Sequence, residues 1–128
     1  MQDPANIQAW HRAIELAVRI HRITRSIRRA EAPGLGSQLR RAVGSIPTNI
    51  AEGVGQSTAA ECARFLSYAI ASAFEVESHL VLAEKLDLKL PGIGDAIDET
   101  SQVRRMTHGL RQYYVEKAKR EKAQRRDS

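Results

Sequence analysis

A proline at position 47 stands inside an otherwise regular helical pattern, and it limits what this chain can fold into more than any other feature. Leu39, Val43, Ile46, Ile50 and Val54 recur at three- and four-residue spacing and line one helical face. The run from Ser37 to Gly53 therefore reads as an amphipathic helix, with Pro47 in its middle and Gly53 and Gly55 at its close. Pro47 has no N–H to offer the carbonyl of Val43, and its ring crowds that turn, which predicts a kink. Ser45, Thr48 and Asn49 flank the proline and can bond carbonyls that it frees, a structural role.

Three further helices are legible. The first opens near Asp3-Pro4 or Asn6, since Asp and Asn cap and Pro suits the first helical position. It runs to about Arg29, with Leu16, Ile20, Ile23 and Ile27 as its buried stripe and Trp10, Ala13 and Ala17 beside them. Glu31 to Gly36 is a breaker cluster. Thr58 followed by Glu61 is a capping box that opens the third helix. Cys62, Leu66, Ala69, Ala73, Val76, Leu80 and Ala83 then form a heptad-like seam. Phe65, Ile70, Phe74 and Val81 add a second apolar strip, which predicts wide burial. Pro91-Gly92 turns the chain, Asp95 caps the fourth helix, and Ile97, Val103, Leu110 and Tyr114 give its stripe. Beyond Val115 the chain is almost wholly polar, so residues 117–128 read as a frayed or disordered basic tail on a 1–116 domain. With no strand pattern and short connections, the expected fold is all-α: an antiparallel up-down-up-down four-helix bundle.

Only 5% of the residues are aromatic, so the core must be aliphatic and alanine-rich. No apolar run reaches the roughly 18 residues of a membrane span. No basic region followed by an apolar stretch marks a signal peptide, so the expected location is cytoplasmic. Cys62 is the single cysteine and falls on an apolar face, where a packed thiol is expected.

The chain offers little to catalysis. A di-iron bundle needs Glu-x-x-His on two helices. Glu75 and His79 are four apart instead, and His11, His21 and His108 lack a carboxylate at that spacing. Gly34-x-Gly36 precedes a helix but does not follow a strand and has no third glycine. No metal, cofactor or enzymatic activity is expected.

The charge pattern says more. Residues 1–57 carry eight basic and four acidic side chains, residues 58–100 three and eight, and residues 101–128 nine and three. Arg19, Arg22, Arg25 and Arg29 form a slanting ridge on the first helix, opposite its apolar stripe. Arg111, Lys117, Lys119, Arg120, Lys122, Arg125 and Arg126 crowd the C-terminus. Arginine suits phosphate because its planar fork donates parallel bonds. Several such groups would give salt-sensitive, sequence-independent binding of RNA or DNA. The same charges are equally compatible with a solvated surface or with docking of unlike subunit surfaces. Tyr113-Tyr114 is too little for a stacking platform.

The segments Gln38 to Ala42, Ser45-Ile46-Pro47, Asn49 to Gly53 and Gly55 resemble the signature of the 23S rRNA intervening-sequence protein family. Trp10 and Ala13 fit that family's first helix, and Thr58, Glu61, Phe65-Leu66, Ser72 to Glu75 and Glu77 fit its third. The resemblance spans roughly residues 7 to 86. Gln56, Cys62 and Ala71 depart from it, standing where the family usually has Arg, an aromatic residue and Gly. It implies a small four-helix bundle that assembles as a ring-shaped homopentamer. A related branch resembles accessory proteins of diversity-generating retroelements, which bind reverse transcriptase and nucleic acid. It also marks Pro47, Asn49, Glu52, Gly53, Glu75 and Glu77 as signature positions. Glu52, Glu75 and Glu77 either pair with Arg40 or Arg41, within or between subunits, or form a solvated helix face. Two expectations follow. One is a non-enzymatic, self-assembling bundle that presents Arg19, Arg22, Arg25, Arg29, Arg40 and Arg41 to RNA. The other is a scaffold whose ring docks a protein partner without touching nucleic acid.

Overall fold

The computed structural model describes residues 3–28 and 31–128. Among these residues there are four α-helices, a short 3-10 turn and no strand. The turn, Pro4–Asn6, is capped by Asp3, whose Oδ1 accepts from the Ala5 N–H at 3.0 Å. The His11 ring donates to the Ala5 carbonyl at 2.7 Å and ties the turn to the helix that follows. That helix, α1, is Gln8–Thr24 and ends earlier than the apolar pattern predicts. Its last turn tightens into three-residue bonds, Ser26 N–H to the Ile23 carbonyl and Ile27 N–H to the Thr24 carbonyl. Arg29, the expected end of α1, lies outside the described residues.

The second helix, α2, is Leu35–Val54. It starts after Gly34, whose φ of +79° suits a residue without a Cβ. It runs through Pro47 without interruption. The flanking polar side chains bond carbonyls of the adjoining turn: Thr48 Oγ1 donates to Gly44 at 3.0 Å and Asn49 Nδ2 to Ser45 at 2.8 Å. The Ser45 hydroxyl reaches the Ala42 carbonyl at 2.8 Å and also Ser72 on the next helix. Gly53 lies within α2, and Gly55 is the cap.

The third helix, α3, is Ala59–Lys85. Thr58 caps it, its hydroxyl accepting from the Glu61 N–H at 3.2 Å. The Glu61 carboxylate turns to Arg64 at 2.7 Å and leaves the reciprocal half of the capping box unmade. The seam from Cys62 to Ala83 is buried throughout. The second strip is not: Phe65 and Ile70 are half-buried, while Phe74 and Val81 face solvent. The seam already fills the contact with α2 and α4, so among the described residues no apolar partner covers the strip's far end, and Phe74 meets only the Arg104 guanidinium.

The fourth helix, α4, is Ile93–Asp127. Gly92, at φ +77°, occupies the cap position, and Asp95 falls within the first turn, where its charge suits the helix dipole. Helix continues through the segment read as a frayed or disordered tail, with Lys117 half-buried and Ala118 against the core. Lys, Glu, Ala, Gln and Arg are strong helix formers, which sustains it. At about 1.5 Å per residue α4 is roughly 52 Å long, about 12 Å more than α3. Its end, from Lys122 onward, is exposed.

Each helix packs on two others, α1 and α3 both on α2 and on α4. The core is aliphatic and alanine-rich, centred on Leu16, Ile20, Leu39, Ile46, Ile50, Leu66 and Leu80, with Val103 from α4. Among the described residues, no helix is long and apolar enough to cross a membrane.

Candidate nucleic-acid interface

The arginine ridge on α1 divides into residues with different surroundings. Arg19 Nε lies 2.6 Å from the Glu99 carboxylate on α4, so half of its charge function is already met. Arg22 and Arg25 are exposed and have no ion-pair partner among the described residues. Arg28 pairs with Glu31 at 3.3 Å. Arg29 cannot be placed in the ridge, because it lies outside the described residues. Arg22 also borders an open groove between α1 and the start of α4, with Ile14, Val18, Pro91 and Glu99 around it. Glu15 lines the same groove, and Asp95 and Asp98 adjoin it through Arg19, so the ridge looks onto acidic as well as basic side chains.

The two arginines of α2 are engaged within the fold. Arg40 donates to Thr24 Oγ1 at 3.0 Å and binds the end of α1 to α2. Among the described residues it has no carboxylate partner. Arg41 pairs with Glu75 on α3, and His79 stands 3.3 Å from the same carboxylate. Glu77 pairs with Arg104 of α4 at 2.8 Å, and both side chains are mostly buried. The Arg104 guanidinium also lies 4.5 Å over the Phe74 ring. The sequence pattern missed Arg104, because a partner on another helix leaves no spacing signal. Glu52 is exposed, and its backbone carbonyl, not its carboxylate, is engaged, by Gln56. Pro47 and Gly53 are buried and Asn49 is bonded back into α2, so these signature positions serve the helix and its packing.

The end of α4 is the most openly basic element. Lys119 lies 3.6 Å from Glu116, while Arg120, Lys122, Arg125 and Arg126 are without an ion pair among the described residues and stand at the solvent-facing end of the helix. A helix fixes their spacing, which a disordered tail would not. The ridge lies beside residues 91–99 at the start of α4, and this cluster is at its far end. The two basic groups therefore occupy opposite ends of one helix.

Perturbed acidity is sparse. A hydrogen bond from Arg64 holds the Glu61 carboxyl below its ordinary range. Burial pushes the Cys62 thiol up, against the smaller opposing pull of a Gln56 backbone hydrogen bond and the Lys117 charge. Burial likewise raises the Tyr114 phenol, helped by Cys62 and Tyr113. A raised thiol is a poor nucleophile at neutral pH, as expected of a packing residue.

None of the curated proteins matches the chain at a significant level. The model of one family, described as 23S rRNA-intervening sequence protein, matches residues 5–109, from the opening turn through half of α4. With that span of the chain and its four helices in agreement, the chain belongs to the 23S rRNA-intervening sequence protein family.

Proposed function

We propose that this chain is a non-enzymatic, self-assembling cytoplasmic protein that binds RNA through the basic end of α4, aided by Arg22 and Arg25. The carrying observation is the helical segment beyond Ala118, which presents Arg120, Lys122, Arg125 and Arg126 without competing ion pairs among the described residues. The family description, which names 23S rRNA intervening sequences, is consistent with an RNA setting. Of the other ridge and α2 arginines, Arg19, Arg40 and Arg41 hold the helices together, and contact RNA only through what their partners leave exposed.

The helices are arranged antiparallel in this reading. Cross-helix contacts run in opposite order: Gly53 near Cys62, Ser45 with Ser72 and Arg41 with Glu75, then Glu77 with Arg104 and Cys62 near Lys117. Pro47 bends α2 so that it follows the core. Single subunits keep their two basic groups at opposite ends, so avidity requires several copies, arranged as a ring. The ring is proposed as a pentamer. A scaffold that docks a protein, such as a reverse transcriptase, is the second reading. It is favoured by the exposed apolar side chains of α3, which would suit a protein neighbour.

The test is binding to structured RNA and to duplex DNA across a salt series. Reversing Arg120, Lys122, Arg125 and Arg126 to glutamate should abolish binding. On single strands, the slope of log K against log salt should become shallower by about 0.7 for each phosphate that a variant no longer neutralises. Reversal of Arg22 and Arg25 should weaken binding less. Unchanged affinity in both variants overturns the assignment to these residues, and absence of binding by the unaltered chain at low salt overturns the RNA reading in favour of the scaffold.

A further inference from the structure

Where α3 begins, its first turn and the later part of α4 enclose a polar cavity of about 120 Å³. Gln56, Ser57, Thr58, Cys62, Tyr114 and Lys117 form its wall. We propose that this cavity is an oxyanion site, taking one phosphate group between the amino end of α3, the Tyr114 hydroxyl and the Lys117 ammonium.

Three features converge there. The first is the amino end of a 27-residue helix, which carries partial positive charge and unbonded N–H groups. Thr58 Oγ1 serves the Glu61 N–H, and the Cys62 N–H goes to the Thr58 carbonyl. No hydrogen bond among the described residues takes up the N–H of Thr58 or Ala59. The Glu61 carboxylate, which a complete capping box would turn back to Thr58, is held by Arg64.

The second is Tyr114. Its side chain is 5% exposed, and its hydroxyl has no hydrogen-bond partner among the described residues. The hydroxyl oxygen itself is not sealed off, so a group entering the cavity can reach it. The group lines the cavity, close enough to Cys62 for the two to feel each other's charge. An ordinary phenol is protonated at neutral pH, and burial moves Tyr114 further in that direction, so it remains a donor. The third is Lys117, half-buried on the next turn of α4, whose charge reaches into the cavity as far as the Cys62 thiol. A neutral donor, a cation and a helix amino end suit an anion.

Size narrows the ligand. The cavity has room for about four waters at their liquid volume of about 30 Å³ each. It is well below the roughly 300 Å³ at which small-molecule pockets begin. A single tetrahedral oxyanion fits, and a whole nucleotide does not. Glu121 also lines the cavity, one turn beyond Lys117, and opposes the anion, which gives the test a second sign. Tyr114, Lys117 and Glu121 all lie beyond the residues that the family match covers.

The experiment is an amide-resonance titration of the full chain with inorganic phosphate, against sodium chloride at equal ionic strength. Thr58 and Ala59 should shift and saturate with phosphate alone. Lys117→Gln should weaken binding by about tenfold or more, the scale of a charge-assisted bond. Glu121→Gln should tighten it. Tyr114→Phe should weaken it while leaving the urea midpoint equal or higher, since the hydroxyl bonds nothing among the described residues. Shifts that do not saturate, or that survive unchanged in the Lys117 and Tyr114 variants, overturn the site. So does a clear stability loss in Tyr114→Phe, which would mean that the hydroxyl serves the fold. A second arm, which rests on the RNA reading, compares one short RNA with a 5′-phosphate and with a 5′-hydroxyl end. Preference for the phosphorylated end identifies an RNA terminus as the source. Equal binding, or no RNA binding, with phosphate still saturating the amides, keeps the site and assigns it to the free oxyanion.

Discussion

Gly53 is set by what lies against it rather than by a turn. A Cβ there would meet the Cys62 carbonyl at 3.1 Å, Phe65 Cβ at 3.2 Å and Leu66 Cγ at 3.3 Å. One of these is backbone, and the other two are anchored in α3, so the helices must separate to admit a methyl group. Gly53→Ala should therefore destabilise the fold by about 1–3 kcal/mol, in the range of overpacked cores, and urea unfolding would measure it. Were Gly53 only a helix stop, alanine would be neutral or stabilising. Cys62, opposite it, carries a prediction with a sign. Its folded thiol titrates above the ordinary value of about 8.5 because burial disfavours the thiolate. The unfolded chain therefore releases this proton first and binds fewer protons above that pH. Stability should be level through neutral pH and fall as pH rises from about 8.5 through the folded thiol's own titration. Urea midpoints measured from neutral to alkaline pH check this, and Cys62→Ala should make the decline shallower.

At the scale of elements, periodicity is a good guide wherever one helical face meets the core. The α3 seam from Cys62 to Ala83 and the α2 stripe from Leu39 to Val54 are buried as their spacing requires. The pattern fails where the deciding contact lies elsewhere in the chain. Ile27 continues the α1 stripe, yet α1 stops at Thr24, where Arg40 of α2 binds the threonine hydroxyl. Phe74 and Val81 have the spacing of a second buried strip, but hydrophobicity does not reveal that no helix among the described residues covers them. The end of α4 misleads in the opposite way. Its lack of apolar residues suggests fraying, whereas its composition favours helix, and Ala118 still reaches the core. The candidate site is legible to the same extent. The sequence locates the basic residues, but only the fold separates Arg22 and Arg25, which are open, from Arg19 and Arg41, which are paired. The polar cavity at Tyr114 leaves no signal, because its parts come from two stretches, 54–62 and 113–121, that lie far apart in the sequence.

At the scale of the whole molecule, the outer half of α3 is the surface least suited to water. Tyr68, Phe74, Val81, Leu82 and Leu86 are all exposed there, Phe74 to 53%. Small residues, Ala71 and Ser78, run between them and would let a neighbouring backbone come close. The pairs Arg41–Glu75 and Arg104–Glu77 tie α3 to α2 and to α4, so the face is held rigid by its neighbours. A rigid apolar strip with a smooth centre fits the packing of another helix better than it fits solvent. Because the same strip serves every copy, self-association through it is the expected outcome. Purified protein should sediment as a multiple of its 14.2 kDa chain mass. Phe74→Glu with Ala71→Arg should return it to the monomer with unchanged helix content, since neither side chain is part of the core. RNA affinity should then fall even though every basic residue remains, because avidity disappears with the assembly. Wild-type protein that sediments as a monomer would remove self-assembly and leave the α3 face to a different protein. Monomeric variants that keep full RNA affinity would show that one subunit's basic helix is sufficient.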